Sequence, residues 1–127
     1  MIIGIGTDIC EISRIERLLE KDKAATFFSK TLTAKEQERV AQIKRPAAHI
    51  AGRWAAKEAL AKMLGTGFGE HCRWLEIEIV NNELGAPEVE LSGVTQETAV
   101  KKGIRHLHLS ISHERHYATA FAIGESS

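Results

Sequence analysis

A chain of 127 residues, 43 % hydrophobic and 27 % charged, has the size and balance of one globular domain and is not composed like a disordered segment. Seventeen basic and seventeen acidic residues cancel, which argues against nucleic acid as a partner and confines any anion site to a local cluster. No apolar run approaches the roughly 18 residues of a membrane-spanning helix, so no membrane partner is expected.

Met1-Ile2-Ile3-Gly4 lacks the positive region of a signal peptide, which makes a cytoplasmic location the expectation. Residues Ile2 to Thr7 read as a strand. Its period of two puts Ile3, Ile5 and Thr7 on one face and Gly4, Gly6 and Asp8 on the other. The second face is nearly bare backbone ending in a carboxylate, and it invites close approach by a neighbour or ligand. A helix follows from Glu11 to about Glu20, with Ile12, Ile15 and Leu19 on its apolar stripe and Arg14, Arg17 and Lys21 on a separate line. Thr33 and Glu36 form a capping box that starts a helix running to about Lys44. Pro46 suits a first turn and Gly65 a C-terminal stop, which bounds the longest helix at Ala47 to Leu64.

Beyond that helix the period changes to two. Leu75 to Ile79 alternates, Asn81 to Pro87 supplies a turn, and Val89 and Leu91 continue a return strand. Gly93 to Lys102 reads as a short helix stopped by Gly103. His106 to Ser112 and Tyr117 to Ile123 read as a final hairpin. With no repeat, linker or low-complexity tract, residues 1–127 form a single domain, and segregation of helices from hairpins predicts an α+β fold. Cys10 and Cys72 belong to no Cys-x-x-Cys pair and read as reduced structural thiols.

The chemistry centres on Asp8, Glu58 and Lys62. Glu58 and Lys62 lie four apart on one helix face, and Asp8 ends the glycine face of the first strand. Two carboxylates brought together from separate elements repel, and a divalent cation such as Mg2+ relieves that repulsion while taking phosphate oxygens as further ligands. A lysine beside it offsets phosphate charge. The same residues also fit a capping box at Asp8 and a surface i,i+4 ion pair, worth only about 0.3–0.5 kcal/mol. Arg53 and Lys57 suit either a solvated face or the ends of a polyphosphate. Gly65-Thr66-Gly67 follows a helix C-terminus, where the dipole disfavours anions unless lysine and metal supply charge. His106 and His108 share a strand face without a third ligand at zinc spacing, and His113 sits at a turn from which a side chain reaches a ligand.

Four segments in this order resemble the bacterial holo-acyl-carrier-protein synthase family. They are Ile3-Gly4-Ile5-Gly6-Thr7-Asp8-Ile9, Arg53-Trp54-Ala55-Ala56-Lys57-Glu58-Ala59 continuing through Lys62 to Gly67, Asn82-Glu83-Leu84-Gly85-Ala86-Pro87, and Leu109-Ser110-Ile111-Ser112-His113. The resemblance spans the chain, departing where Trp54 stands near a usual phenylalanine. It implies a 4'-phosphopantetheinyl transferase-like fold, an antiparallel sheet with a long central helix, usually assembled as a homotrimer with sites between subunits. It further implies magnesium-dependent transfer of 4'-phosphopantetheine from coenzyme A to a serine of apo-acyl carrier protein, in fatty acid biosynthesis. Asp8 and Glu58 would ligate Mg2+, with Lys62 as their catalytic partner. Arg53, Lys57, Lys62, Gly65, Thr66 and His113 would contact coenzyme A. Arg14, with Arg17 and Lys21, would dock an acidic helix of the carrier protein. Two other readings use the same residues: hydrolysis of a nucleotide diphosphate with water as acceptor, and a non-enzymatic adaptor for acidic helices.

Overall fold

In the computed structural model, which describes residues 1–127, ten elements follow one another. They are β1 (Ile2–Glu11), α1 (Ile12–Leu19), α2 (Ala24–Thr31), α3 (Ala34–Ala41), α4 (Ala47–Leu64), β2 (Ile77–Asn81), β3 (Pro87–Leu91), α5 (Gly93–Lys101), β4 (His106–His113) and β5 (Tyr117–Glu125). A single 3-10 turn at Trp74–Glu76 precedes β2. Antiparallel pairing gives a three-stranded sheet in the order β1-β5-β4 and a separate hairpin of β2 with β3. The α+β expectation is met.

Strand β1 and helix α4 fit together because their contact faces carry almost no side chain. A β-carbon on Gly6 would collide with the carbonyl oxygen of Ala59, and one on Gly4 with that of Met63. On β5, Ala118, Ala120 and Ala122 are fully buried beneath the same helix. Two strand residues advance about 6.6 Å and one helical turn about 5.4 Å. The match of Gly4 with Met63 and Gly6 with Ala59 therefore continues, and Asp8 falls beside the turn that carries Glu58. The opposite face of the sheet remains open, with Ile5 67 %, Ile9 64 % and Phe121 54 % exposed.

Several boundaries differ from the sequence reading. Strand β1 runs past Thr7 to Glu11, and Asp8 pairs with Ala120, so Asp8 is not a helix cap. The N-cap of α1 is Glu11, which makes no side-chain capping bond. Helix α2 carries no sequence signal of its own, since its N-cap Lys23 also makes no capping bond. Leu75 and Glu76 leave the predicted strand because the Glu76 carboxylate accepts from the Thr95 amide at 3.0 Å and hydroxyl at 2.9 Å, closing the start of α5. The Thr33–Glu36 capping box and the left-handed Gly65 stop at φ 78° are both present.

Lys57 corrects a functional expectation. Its ammonium is fully buried and donates to Glu36 Oε1 at 2.7 Å, the Thr31 carbonyl at 2.7 Å and the Trp74 carbonyl at 3.1 Å. Glu36 Oε2 accepts from the Ile79 amide at 2.9 Å. All three ammonium donors are thus occupied, and Lys57 fastens α2, α3 and the start of β2 to α4 and does not reach a polyphosphate. Burial lowers the Lys57 pKa, while the Glu36 carboxylate opposes that shift.

Gly6→Ala forces backbone against backbone at Ala59, so a loss of about 1–3 kcal/mol is expected in urea unfolding. A change smaller than experimental error would show that α4 does not rest on β1 in this way.

Candidate active site beside strand β1 and helix α4

Lys62 reaches back from the last turns of α4 and donates to Asp8 Oδ1 at 3.0 Å and to the Thr7 carbonyl at 3.0 Å. The lysine side chain is 53 % exposed and that of Asp8 18 %, so the pair sits at the rim and not in the core. Glu58 lies one turn earlier on the same face. Partial burial first, and then the charge of Asp8, push the Glu58 carboxyl above the usual glutamate range, against the opposing pull of Lys62 and Arg14. Asp8 and Glu58 therefore share one electrostatic field, with a lysine at its edge. This donor set suits a hard divalent cation, which needs only one or two carboxylates when phosphate oxygens and waters complete its shell.

Arg14, on the exposed side of α1, stands 5.5 Å from the centroid of the Trp54 ring, and Trp54 is one turn before Glu58. Its charge contributes to the Glu58 field, so α1 borders the site. Trp54 in turn stacks on Phe27 at 5.4 Å and meets Trp74 at 4.6 Å, and Trp74 stacks on Phe68 at 3.9 Å. This aromatic ledge was not legible in the sequence, because α2 was not. Arg17 is exposed and reaches only Ser13 Oγ at 3.5 Å, and Lys21 lies exposed beyond the end of α1. The Thr66 hydroxyl is turned onto the Gly67 carbonyl at 2.9 Å.

Arg53 and His113 form a second locus. With Arg45, His49, Asn81 and Pro87 they line an open cleft of about 430 Å³. Arg53 is nearly buried and donates to Asn81 Oδ1 at 3.0 Å. Along α4, five residues separate Arg53 from Glu58 and nine separate it from Lys62, which is about 140° and 180° around the helix at 100° per residue. One chain therefore presents the acidic rim and the cationic cleft on different sides. Arg45, His49 and Asn81 are the cleft residues that motif reasoning missed. The i,i+4 spacing of His49 and Arg53 was the available signal. His108 pairs with Glu125 at 3.0 Å, and no cluster of three or more His, Cys, Asp or Glu side chains occurs. Both cysteines are free and buried, and burial raises the Cys72 thiol to about 11.

Against known proteins, residues 4–122 match the family described as the 4'-phosphopantetheinyl transferase superfamily. A holo-[acyl-carrier-protein] synthase of Vibrio parahaemolyticus is 45 % identical over 98 % of both chains. One from Clostridium novyi is 51 % identical over 98 % of this chain and 88 % of its own. Among solved structures, the holo-[acyl-carrier-protein] synthase of Neisseria meningitidis superposes with a TM-score of 0.90 at 38 % identity, covering 98 % of this chain and 99 % of the other. The Bacillus anthracis enzyme in complex with CoA (3',5'-ADP) gives 0.84 at 38 % identity, over 100 % and 99 %.

A carboxyl whose folded pKa is raised favours folding while protonated, and that contribution fades as pH rises through the raised value. Glu58→Gln removes the penalty of ionising beside Asp8. The metal-free variant is expected to melt a few degrees higher than wild type at neutral pH, with the gap closing as pH falls through the carboxylate range. Thermal unfolding across pH checks this; a variant less stable at neutral pH would contradict the shared field.

Proposed function

The chain belongs to the 4'-phosphopantetheinyl transferase superfamily, and from that premise we infer that it is a holo-acyl-carrier-protein synthase. It transfers 4'-phosphopantetheine from coenzyme A to a serine of apo-acyl carrier protein and releases adenosine 3',5'-bisphosphate. The observation that carries the site assignment is the meeting of Asp8, Glu58 and Lys62 at one rim, two acids in a common field with an ammonium 3.0 Å from one of them.

In this reading Asp8 and Glu58 hold Mg2+. Bound there, magnesium would polarise the diphosphate and offset the charge that develops as the leaving group departs. The carrier serine oxygen forms a bond to the β-phosphorus, the bond from that phosphorus to its bridging oxygen breaks, and the adenosine bisphosphate leaves with the electron pair. The serine proton passes to the Glu58 side of the rim, where a carboxylate stands ready as general base. Lys62, tethered to Asp8 with half its side chain in solvent, neutralises the diphosphate or gives a proton to the departing oxygen. Transfer of this kind rests on positioning and electrostatics more than on covalent help.

Arg14, close to Glu58 and stacked on Trp54, orients an acidic helix of the carrier protein, and Arg17 and Lys21 add steering charge along α1. Gly65, with no side chain beyond the Lys62 turn, and exposed Thr66 border the diphosphate. Arg53 and His113 contribute through the cationic cleft. Because rim and cleft lie on different sides of α4, a single coenzyme molecule meets both only if a second copy supplies one of them. The unpartnered Ile5, Ile9 and Phe121 on the outer sheet face support such an assembly, and the family resemblance implies that it is a homotrimer.

Asp8→Ala and Glu58→Ala are each expected to cut transfer by about 10³-fold or more, read by mass spectrometry of apo-carrier protein incubated with coenzyme A and magnesium. Chelator should abolish the mass gain in wild type. Near-normal transfer by either variant would overturn the assignment, and rapid release of adenosine 3',5'-bisphosphate without carrier protein would favour hydrolysis instead. Phe121→Glu places charge on the outer sheet face and is expected to dissociate the assembly, as measured by sedimentation velocity. An unchanged sedimentation coefficient would remove that face from the interface.

A further inference from the structure

The end of α5 sets a cation beside the last turn of α4, and the proposed reaction has so far given it no task. Helix α5 stops in a pair of closing hydrogen bonds, from the Gly103 amide to the Val100 carbonyl at 2.9 Å and from the Ile104 amide to the Ala99 carbonyl at 3.0 Å. Gly103 supplies the left-handed residue this ending requires, at φ 82°. Ile104 is thereby turned into the core, where its side chain and that of Met63 crowd the same face of Gly124. The ends of α5 and α4 are pinned together, and Lys102, the C-cap of α5, is held over the end of α4.

A β-carbon on Gly65 would stand 3.5 Å from the Lys102 Nζ, with no other group outside its own stretch of chain within 4 Å. The Gly65 amide is already spent on the Ala61 and Lys62 carbonyls, at 3.1 Å and 3.0 Å. Lys102 is exposed, and its ammonium joins none of the ion pairs of the chain. Lys62, by contrast, is held by Asp8 and the Thr7 carbonyl. At 100° per residue, Glu58, Lys62 and Gly65 fall within about 60° of one another around α4, and Gly65 lies about 4.5 Å beyond Lys62 along the axis. A diphosphate laid along this stripe therefore ends at Gly65. The last turn of a helix carries partial negative charge that repels an anion, and the Lys102 ammonium stands where that repulsion needs an offset.

We propose that Lys102 is a second diphosphate-binding cation, set over Gly65 to hold the α-phosphate of coenzyme A, which departs with adenosine 3',5'-bisphosphate. This rests on the reading of the Asp8, Glu58 and Lys62 rim as the diphosphate site. The β-phosphorus is attacked at the Glu58 end of the stripe, so the α-phosphate lies toward Gly65. As the bridging bond breaks, its electron pair stays with the α-phosphate, which passes from a singly charged diester to a monoester dianion. A fixed ammonium attracts that growing charge more strongly than the charge of the bound substrate. Gly65 has a further use here, because any side chain would occupy the space between phosphate and ammonium.

Lys102→Gln is expected to lower kcat/KM about five-fold for coenzyme A and by the same factor for dephospho-coenzyme A, since both carry the diphosphate. Lys102→Arg should recover most of the loss. Titration calorimetry with magnesium present reads the α-phosphate alone, because adenosine 3',5'-bisphosphate and adenosine 3'-monophosphate differ only in that group. The wild-type preference for the bisphosphate should shrink about five-fold in Lys102→Gln. If Lys102→Gln melts lower but keeps that preference and normal transfer, the ammonium merely offsets the helix dipole and the proposal is overturned. A loss confined to coenzyme A also overturns it, by giving the ammonium to the 3'-phosphate. Both results leave the functional reading standing, which falls only if wild type neither transfers from coenzyme A nor binds the bisphosphate.

Discussion

Everything in this molecule depends on how closely helix α4 approaches the sheet. The approach is possible because β1 offers Gly4 and Gly6 and β5 offers three alanines beneath it, so helix carbonyls rest almost on strand backbone. That contact fixes the helix along and around its axis. Once Ala59 sits over Gly6, Lys62 reaches the end of the glycine track and Glu58 is drawn into the field of Asp8. The site is a by-product of packing whose tolerance is a fraction of an ångström.

Helix α4 also shows how burial divides labour between similar groups. Lys57 and Lys62 both pair with carboxylates, at 2.7 Å and 3.0 Å. The first pair is sealed from water, has every ammonium donor satisfied and ties four elements together; removing one partner of such a pair typically costs about 3–5 kcal/mol. The second lies at the rim with its lysine half in solvent, contributes less to stability than a sealed pair, and leaves its lysine free to exchange a carboxylate for a phosphate. Glu58 follows Lys57 directly in sequence yet faces the reacting rim, because successive residues on a helix point about 100° apart.

Much of this was written in the sequence. The bounds of α4, the Thr33 capping box, the alternation of the last hairpin and the two faces of β1 follow from periods and caps, which are local properties. What the sequence hides is non-local. Lys57 looked like a second anion contact because its partner Glu36 lies 21 residues away on another helix. Leu75 and Glu76 alternate like a strand, yet the Glu76 carboxylate is taken by Thr95 at the start of α5. Helix α2 had neither a cap nor a strong stripe. The meeting of Asp8 with Glu58 was legible only through the resemblance of the whole motif set, since spacing alone equally allowed a capping box and a surface ion pair.

Strand β1 is a wall shared by two tenants: its even positions carry the glycines and Asp8, its odd positions the bare isoleucines of the outer face. Inserting or deleting one residue between Ile2 and Asp8 would exchange the two sides, turning the carboxylate outward and isoleucines into the helix. Changes of length in this strand should therefore be purged in evolution even where individual side chains drift. The Asn82–Ala86 turn, whose Leu84 is 95 % exposed, can lengthen without disturbing either tenant.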